Sequence, residues 1–86
     1  MKLDFKCAGK LVGRFIEVTG FPLVTGRYHY MPYRGPGHLL FQEACTKTGS
    51  ARCTYETPDG EVRFVARTIP GALGILDIQE ISTIEA

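Results

Sequence analysis

The sequence lacks the long apolar run that a membrane-spanning helix requires. No stretch approaches the roughly 18 unbroken apolar residues of such a helix, so we expect no membrane partner. Residues 1–6 carry charges where a secretory signal peptide has its apolar core. We therefore expect a cytoplasmic protein.

The sequence also lacks a large excess of charge of either sign. Ten Lys and Arg residues stand against nine Asp and Glu residues, for a net charge of +1. Proteins that bind nucleic acids or anionic membranes in general carry a larger positive charge, so the total counts against that class. The local balance is less even, because no acidic residue lies between Glu17 and Glu43.

The cysteines are too few and too oddly spaced for a disulfide framework or a zinc ribbon. There are three of them, Cys7, Cys45 and Cys53, and an odd number leaves one thiol unpaired. Cys45 and Cys53 could bind a metal together with His38, with Cys7 or His29 as a fourth ligand. That set lacks the short Cys-x2-Cys spacing of structural zinc sites. We predict inert, mostly buried thiols, with no metal and no cofactor.

Motifs of catalysis are also missing. No Gly-x-x-x-x-Gly-Lys-Ser/Thr sequence is present to hold a phosphate. Ser50 and Ser82 could act as nucleophiles only with His29 or His38 as the base, and no local signature surrounds any of the four. We predict no catalytic residues and a protein that is not an enzyme.

What is present is an ordinary globular composition in a short chain. The 86 residues are 44 % hydrophobic and 22 % charged, near the averages of globular domains, which excludes a disordered, collagen-like or coiled-coil chain. Residues 1–86 are therefore expected to form one domain. Its core will be thin, since a chain of this length buries only roughly 60 % of its unfolded surface.

Turn-forming residues divide the chain into short segments. Ten glycines and five prolines are spread along it, and few intervals between them are long enough for a helix. Short strands with frequent turns are typical of small barrels and sandwiches. We predict an all-β fold, either a barrel or a two-layer sandwich, of about six to eight mostly antiparallel strands.

The first strands follow from alternation of apolar and polar side chains. Residues 2–7 alternate clearly, with Leu3, Phe5 and Cys7 on one face. Residues 10–18 alternate less strictly and predict a second strand that is apolar on both faces. A loop is expected over residues 19–26.

The clearest hairpin joins a strand over 51–57 to a strand over 61–68. A two-residue turn at Asp59-Gly60 would set Tyr55 opposite Phe64 and bring the apolar faces together. A three-residue turn that includes the preceding proline would set Tyr55 opposite a charged residue instead. We favour the two-residue turn.

The C-terminal segment allows two interpretations. Ile75, Ile78, Ile81 and Ile84 recur every third residue, which would line one side of a helix. Isoleucine is β-branched, however, and Gly74 interrupts the run. We predict a strand over 73–81 and a frayed end over 82–86.

One segment is unusual in composition. Residues 27–38 hold three of the four tyrosines, both histidines and two of the six arginines. A strand over 27–31 should end at Pro32, because proline cannot donate to a ladder. Residues 34–37 should form an exposed loop, given their Gly and Pro content. The candidate binding residues of this segment are Arg27, Tyr28, His29, Tyr30, Tyr33, Arg34 and His38.

The segment supports two functional hypotheses and one structural one. Tyr and Arg dominate many protein interfaces, so the first hypothesis is a non-enzymatic domain that binds a partner protein or a second copy of this chain. The alternative is a small barrel that binds single-stranded nucleic acid by stacking bases on Tyr28, Tyr30 and Tyr33. The structural interpretation is that Tyr28 and Tyr30 belong to the core. The sequence specifies no biological process.

Overall fold

The computed structural model describes residues 3–16, 24–58 and 60–85. In this part of the chain, 65 % strand content and a single short helix confirm the predicted all-β class. The elements are β1 (Leu3–Cys7), β2 (Lys10–Phe15), β3 (Gly26–Pro32), α1 (Pro36–Thr48), β4 (Ala51–Thr57), β5 (Gly60–Ile69) and β6 (Ala72–Glu85).

The strands close into one antiparallel barrel in the order β1-β2-β3-β6-β5-β4. Of the two predicted architectures the barrel is therefore the one observed. A short contact between Lys6 and Thr54 joins β1 to β4 and completes the ring. Ala8 and Gly9 form the β1–β2 turn, both with positive φ. Ring closure leaves the interior of the barrel for a single core.

The loose alternation of β2 has its cause in a β-bulge. The register between β1 and β2 shifts between Phe5 and Lys6, so that Val12 and Phe15 both face the interior although they are three residues apart. Both side chains are fully buried. The strand ends at Phe15, earlier than the predicted residue 18. Residues 17 and 18, and most of the loop expected over 19–26, lie outside the described residues.

The β4–β5 hairpin forms, but in neither of the registers considered above. Thr57 pairs with Gly60 and Tyr55 pairs with Val62, so the connection is Pro58-Asp59. Proline suits the second position of such a turn because its φ is already fixed near −65°. The favoured register was thus wrong by two residues, a shift that preserves which side chains face inward because the strand period is two.

The C-terminal segment is a strand, as predicted, but a longer one. β6 continues past Ile81 to Glu85, so the frayed end expected from residue 82 is wrong for residues 82–85. Glu80 has a positive φ, and the register with β5 shifts there. The extra residue lets Ile78 and Ile81 both pack on the core at a spacing of three.

The helix α1 was not predicted. The expected exposed loop over 34–37 is wrong for Pro36 and Gly37, which form the first turn of the helix, and Gly37 is buried. Proline is well placed there because the first helical N–H needs no partner. Gly49 ends the helix in the left-handed conformation and donates its N–H to the carbonyl of Cys45.

The core is built around aromatic rings. Phe5 and Phe15 stack with their centroids 5.0 Å apart, and Phe41 brings the helix onto this cluster with its ring edge-on to Phe5. All buried side chains of the described residues are apolar in type. They are Phe5, Val12, Phe15, Phe41, Ala51, Cys53, Tyr55, Val62, Phe64, Ala66, Leu76 and Ile78.

Candidate functional site

The unusual segment 27–38 is divided between the inside and the outside of the barrel. Along β3, Tyr28 and Tyr30 are half-buried and pack against the core, whereas Arg27, His29 and Met31 are exposed on the outer face. This follows from the two-residue period of a strand. The predicted binding residues therefore do not form one surface.

Tyr28 is part of the barrel wall. Its ring packs edge-on against Phe15 with centroids 5.8 Å apart. Its hydroxyl donates to the carbonyl of Val24 at 2.7 Å and accepts from the N–H of the same residue at 3.3 Å. Both ends of the side chain are engaged within the protein.

Tyr30 is held between the barrel and the helix. Its ring lies 6.1 Å from that of Phe5 and 6.4 Å from that of Phe41, edge-on in both cases. Burial, and secondarily the neighbouring Cys45 thiol, raises the pKa of the Tyr30 hydroxyl. The hydroxyl is therefore protonated at neutral pH and can donate a hydrogen bond.

A groove opens beside Tyr30, near the end of the ladder between two barrel strands. The ladder between β3 and β6 runs from Gly26↔Ile78 to His29↔Ile75, and among the described residues no pairing continues it. The groove has a volume of about 950 Å³ and lies between these strand ends and α1. It is lined by Tyr30, Pro32, Arg34, Gly35, His38, Leu39, Gln42, Leu73 and Gly74.

Backbone groups of β3 face this groove. The N–H of Ile16 donates to the carbonyl of His29, and the N–H of Tyr33 donates to the carbonyl of Val12. Because backbone groups alternate sides along an antiparallel strand, those of Tyr30 point away from β2, toward β6. In agreement, a Cβ placed on Gly74 would lie 3.6 Å from the Tyr30 carbonyl oxygen.

Apolar side chains stand exposed around the groove. Leu73 is fully exposed near the start of β6, just after the β5–β6 turn, and Leu39 on α1 is 67 % exposed. Tyr33 is about half exposed, with its ring against Gly35, which lines the groove. Leu39 and Leu73, called the apolar rim below, both line the groove.

Basic and polar side chains line the groove as well as apolar ones. Arg34 is exposed, and none of the ion pairs between described residues involves it. None of the described residues that line the groove is acidic. Nδ1 of His38 is buried and has no hydrogen-bond partner among the described residues.

The structure thus brings Tyr30, Arg34 and His38 of the predicted set together at the groove. Sequence reasoning missed the other side of it, Leu39 and Gln42 on α1 and Leu73 on β6. The available signal was the helix start Gly35-Pro36 with the later Gly49, which mark the two ends of α1.

The three thiols lie elsewhere and near one another. Cys7, Cys45 and Cys53 are free, and burial raises the pKa of each thiol. Thiols that stay protonated are poor nucleophiles and poor metal ligands. Within the described ranges, no group of three or more His, Cys, Asp or Glu side chains is placed to hold a metal ion.

The comparisons add no functional assignment. No helix in the described part of the chain is both long and apolar enough to cross a membrane. Searches of protein-family models, of curated proteins and of solved structures gave no match to this chain.

Proposed function

We propose that this chain is a non-enzymatic protein-interaction domain that binds an extended segment of a partner polypeptide in the groove between α1, β3 and β6. The observation that carries the proposal is the groove itself, which opens where the β3–β6 ladder ends. It combines the backbone of Tyr30, which points toward β6 just beyond the last β3–β6 pair, with an exposed apolar rim.

An extended segment suits this combination. Strands that bind peptides offer backbone groups for affinity and apolar sites for alternate side chains. Here the backbone of Tyr30 points toward the groove, and Leu39 and Leu73 stand on its two sides. A partner segment placed between β3 and the helix would use both kinds of contact.

The exposed rim supports an interaction role on energetic grounds. Exposed apolar side chains that adjoin a groove are typical of binding sites, because leaving them in water is unfavourable. A fully exposed Leu73 gains most of its apolar burial only when a partner covers it. Folding of this chain alone does not bury it.

The composition of the groove supports a non-enzymatic role. The described residues that line it include no Ser, Cys, Asp or Glu, so none of them supplies a nucleophile or carboxylate beside His38. The Tyr30 hydroxyl remains protonated at neutral pH, because its pKa is raised. General acid–base and nucleophilic catalysis both need a reactive side chain with a second group beside it that gives or takes the proton.

The nucleic-acid alternative has less support. It requires Tyr28, Tyr30 and Tyr33 to stack on bases, but Tyr28 and Tyr30 pack against core phenylalanines. Only Tyr33 among the three presents its ring on the surface. Nucleic-acid binding stays a hypothesis without a stacking platform to support it.

The test is a selection from a displayed library of short random peptides, followed by affinity measurements on the enriched peptides. The double variant Leu39→Ser, Leu73→Ser removes the apolar rim. The matched control, Ile16→Ser with Ile84→Ser, removes two exposed apolar side chains that do not line the groove.

We expect enriched peptides that lose binding to the rim variant and keep it with the control. Sedimentation of the wild-type protein without peptide tests whether a second copy occupies the groove instead. A library that yields no binding peptide, peptides that bind the rim variant as well as the wild type, or a dimer that the rim variant abolishes would each contradict the proposal of a partner segment.

A further inference from the structure

We infer that the partner segment carries a carboxylate, and that Arg34 at the end of the groove binds it. This inference rests on the proposed function, since it names the chemistry of the segment that the groove receives. Among the described residues that line it, the groove offers a cation but no acidic group.

The unpaired state of Arg34 is the first observation. In the described part of the chain, Arg14 is paired with Asp4 and Arg63 with Glu61. Arg34 has no such partner there. A guanidinium group presents planar paired donors that fit a carboxylate.

The charge around Arg34 is the second observation. No acidic residue lies between Glu17 and Glu43 in the sequence, and the helix has none in its first turn. Arg34 directly precedes the Gly35 N-cap, which makes no side-chain capping bond. The positive end of the helix dipole therefore adds to the charge of Arg34.

The orphaned Nδ1 of His38 is the third observation. A buried polar atom without a partner is unfavourable, and His38 lines the groove one helical turn after Arg34. Because Nδ1 is shielded from solvent, it donates to a carboxylate oxygen only once the imidazole turns toward the groove as the segment binds.

Two sources of the carboxylate are chemically equivalent at this site. One is the C-terminus of the partner chain and the other is an Asp or Glu side chain within it. The library in the experiment above is therefore displayed in two formats, one with free peptide C-termini and one with both peptide ends blocked.

The experiment compares enriched peptides with versions in which the carboxylate is neutralised. A C-terminal carboxylate is amidated, and an Asp or Glu is replaced by Asn or Gln. Each peptide is titrated against the wild-type protein, Arg34→Gln and Arg34→Glu. Arg52→Gln is the control variant, because Arg52 is also exposed but lies on β4 away from the groove.

We expect neutral peptides to bind the wild type about tenfold more weakly, the loss typical of one charge-assisted hydrogen-bonded contact. Arg34→Gln should weaken the acidic peptide by a similar factor and leave the neutral peptide unchanged. A new selection of the library against the Arg34→Glu variant should enrich peptides that contain Lys or Arg. Arg52→Gln should bind like the wild type.

The outcomes separate this inference from the proposed function. Suppose that peptides lose binding to the rim variant but bind the wild type and Arg34→Gln with equal affinity. This result would contradict the inference that Arg34 binds a carboxylate, and it would still support the proposed interaction domain. Acidic peptides that Arg52→Gln weakens as much as Arg34→Gln would overturn the inference as well. A failure of every peptide to bind would overturn both.

Discussion

A Cβ atom on Gly37 would lie 2.5 Å from the carbonyl oxygen of Leu11. The first turn of α1 therefore rests directly on the backbone of β2. This contact sets the position of the helix against the barrel, and the helix forms one wall of the groove. Glycine is the only residue that permits so close an approach.

Replacing Gly37 by Ala should destabilise the fold. The added methyl group meets backbone atoms of Lys10 and Leu11, which cannot swing aside as a flexible side chain would. Overpacking of this kind costs about 1–3 kcal/mol. Urea unfolding measures the loss.

Gly35→Ala is the control for this change. Its methyl group would meet the ring of Tyr33 at 2.8 Å, and that exposed ring can move. We expect a clearly smaller loss than for Gly37→Ala. Equal losses at the two positions would show that the contact with β2 does not determine the effect, since helix propensity alone favours Ala over Gly.

Tyr30 and Tyr33 should respond differently to replacement by Ala. Tyr30→Ala removes a ring that packs on Phe5 and Phe41, and we expect a loss of about 2 kcal/mol, below the roughly 3–5 kcal/mol of a fully buried ring. Tyr33 is half exposed, so Tyr33→Ala should stay within about 0.5 kcal/mol. Thermal unfolding of the two variants checks this, and the reverse order of stability would contradict the assignment of Tyr30 to the core.

Glu56→Lys should stabilise the β4–β5 hairpin. Glu56 pairs directly with Glu61, and like charges in opposite positions are unfavourable by roughly 0.2–1 kcal/mol. The register expected from the sequence would instead set Glu56 opposite Arg63, so that the same change would destabilise. Glu56→Gln removes the charge alone and should fall between the wild type and Glu56→Lys. The sign of the change in the urea midpoint decides between the two registers.

The stability of the protein should fall at alkaline pH because of Cys53. Burial, with smaller contributions from Cys7 and Cys45, raises the pKa of this thiol above its ordinary value of 9.0. Below that value the thiol is protonated in both folded and unfolded chains. Above it, the unfolded thiol ionises first, which draws the equilibrium toward unfolding by up to about 1.4 kcal/mol per pH unit.

Unfolding free energies of the wild type and Cys53→Ala, measured from about pH 7 to about pH 10.5, test this linkage. Cys53→Ala should be less stable at neutral pH because it leaves a cavity, but its stability should decline less steeply above pH 9. Parallel curves would show that other groups cause the alkaline loss.

The sequence predicts the barrel class well because strands leave a strong local signal. Phe5, Tyr28 and Tyr30 point inward as a period of two requires. The register of the β4–β5 hairpin was predicted wrongly, because the expected register and the observed one both place Tyr55 on the inner face. The pattern of apolar side chains therefore does not distinguish the two registers. Only the fixed φ of Pro58 separates them.

Only some of the residues that line the groove could be predicted from the sequence. Tyr30, Arg34 and His38 stand out by composition, but the sequence predicted an exposed loop over 34–37 and no helix after it, so Leu39 and Gln42 were not identified. The helix has no capping side chain and no acidic first turn, so its start is weakly marked. The point at which the β3–β6 ladder ends depends on pairing between distant segments, which no local pattern reports.

The most direct test of the account is a map of amide chemical shifts as an enriched acidic peptide is added to the protein. We expect the largest changes around the groove and small changes on the outer face of β3 and β4. The residues that should shift are Arg34, Gly35, His38, Leu39, Leu73 and Gly74. Changes centred on Arg27, His29 and Arg52 would place the binding surface outside the groove and contradict the account.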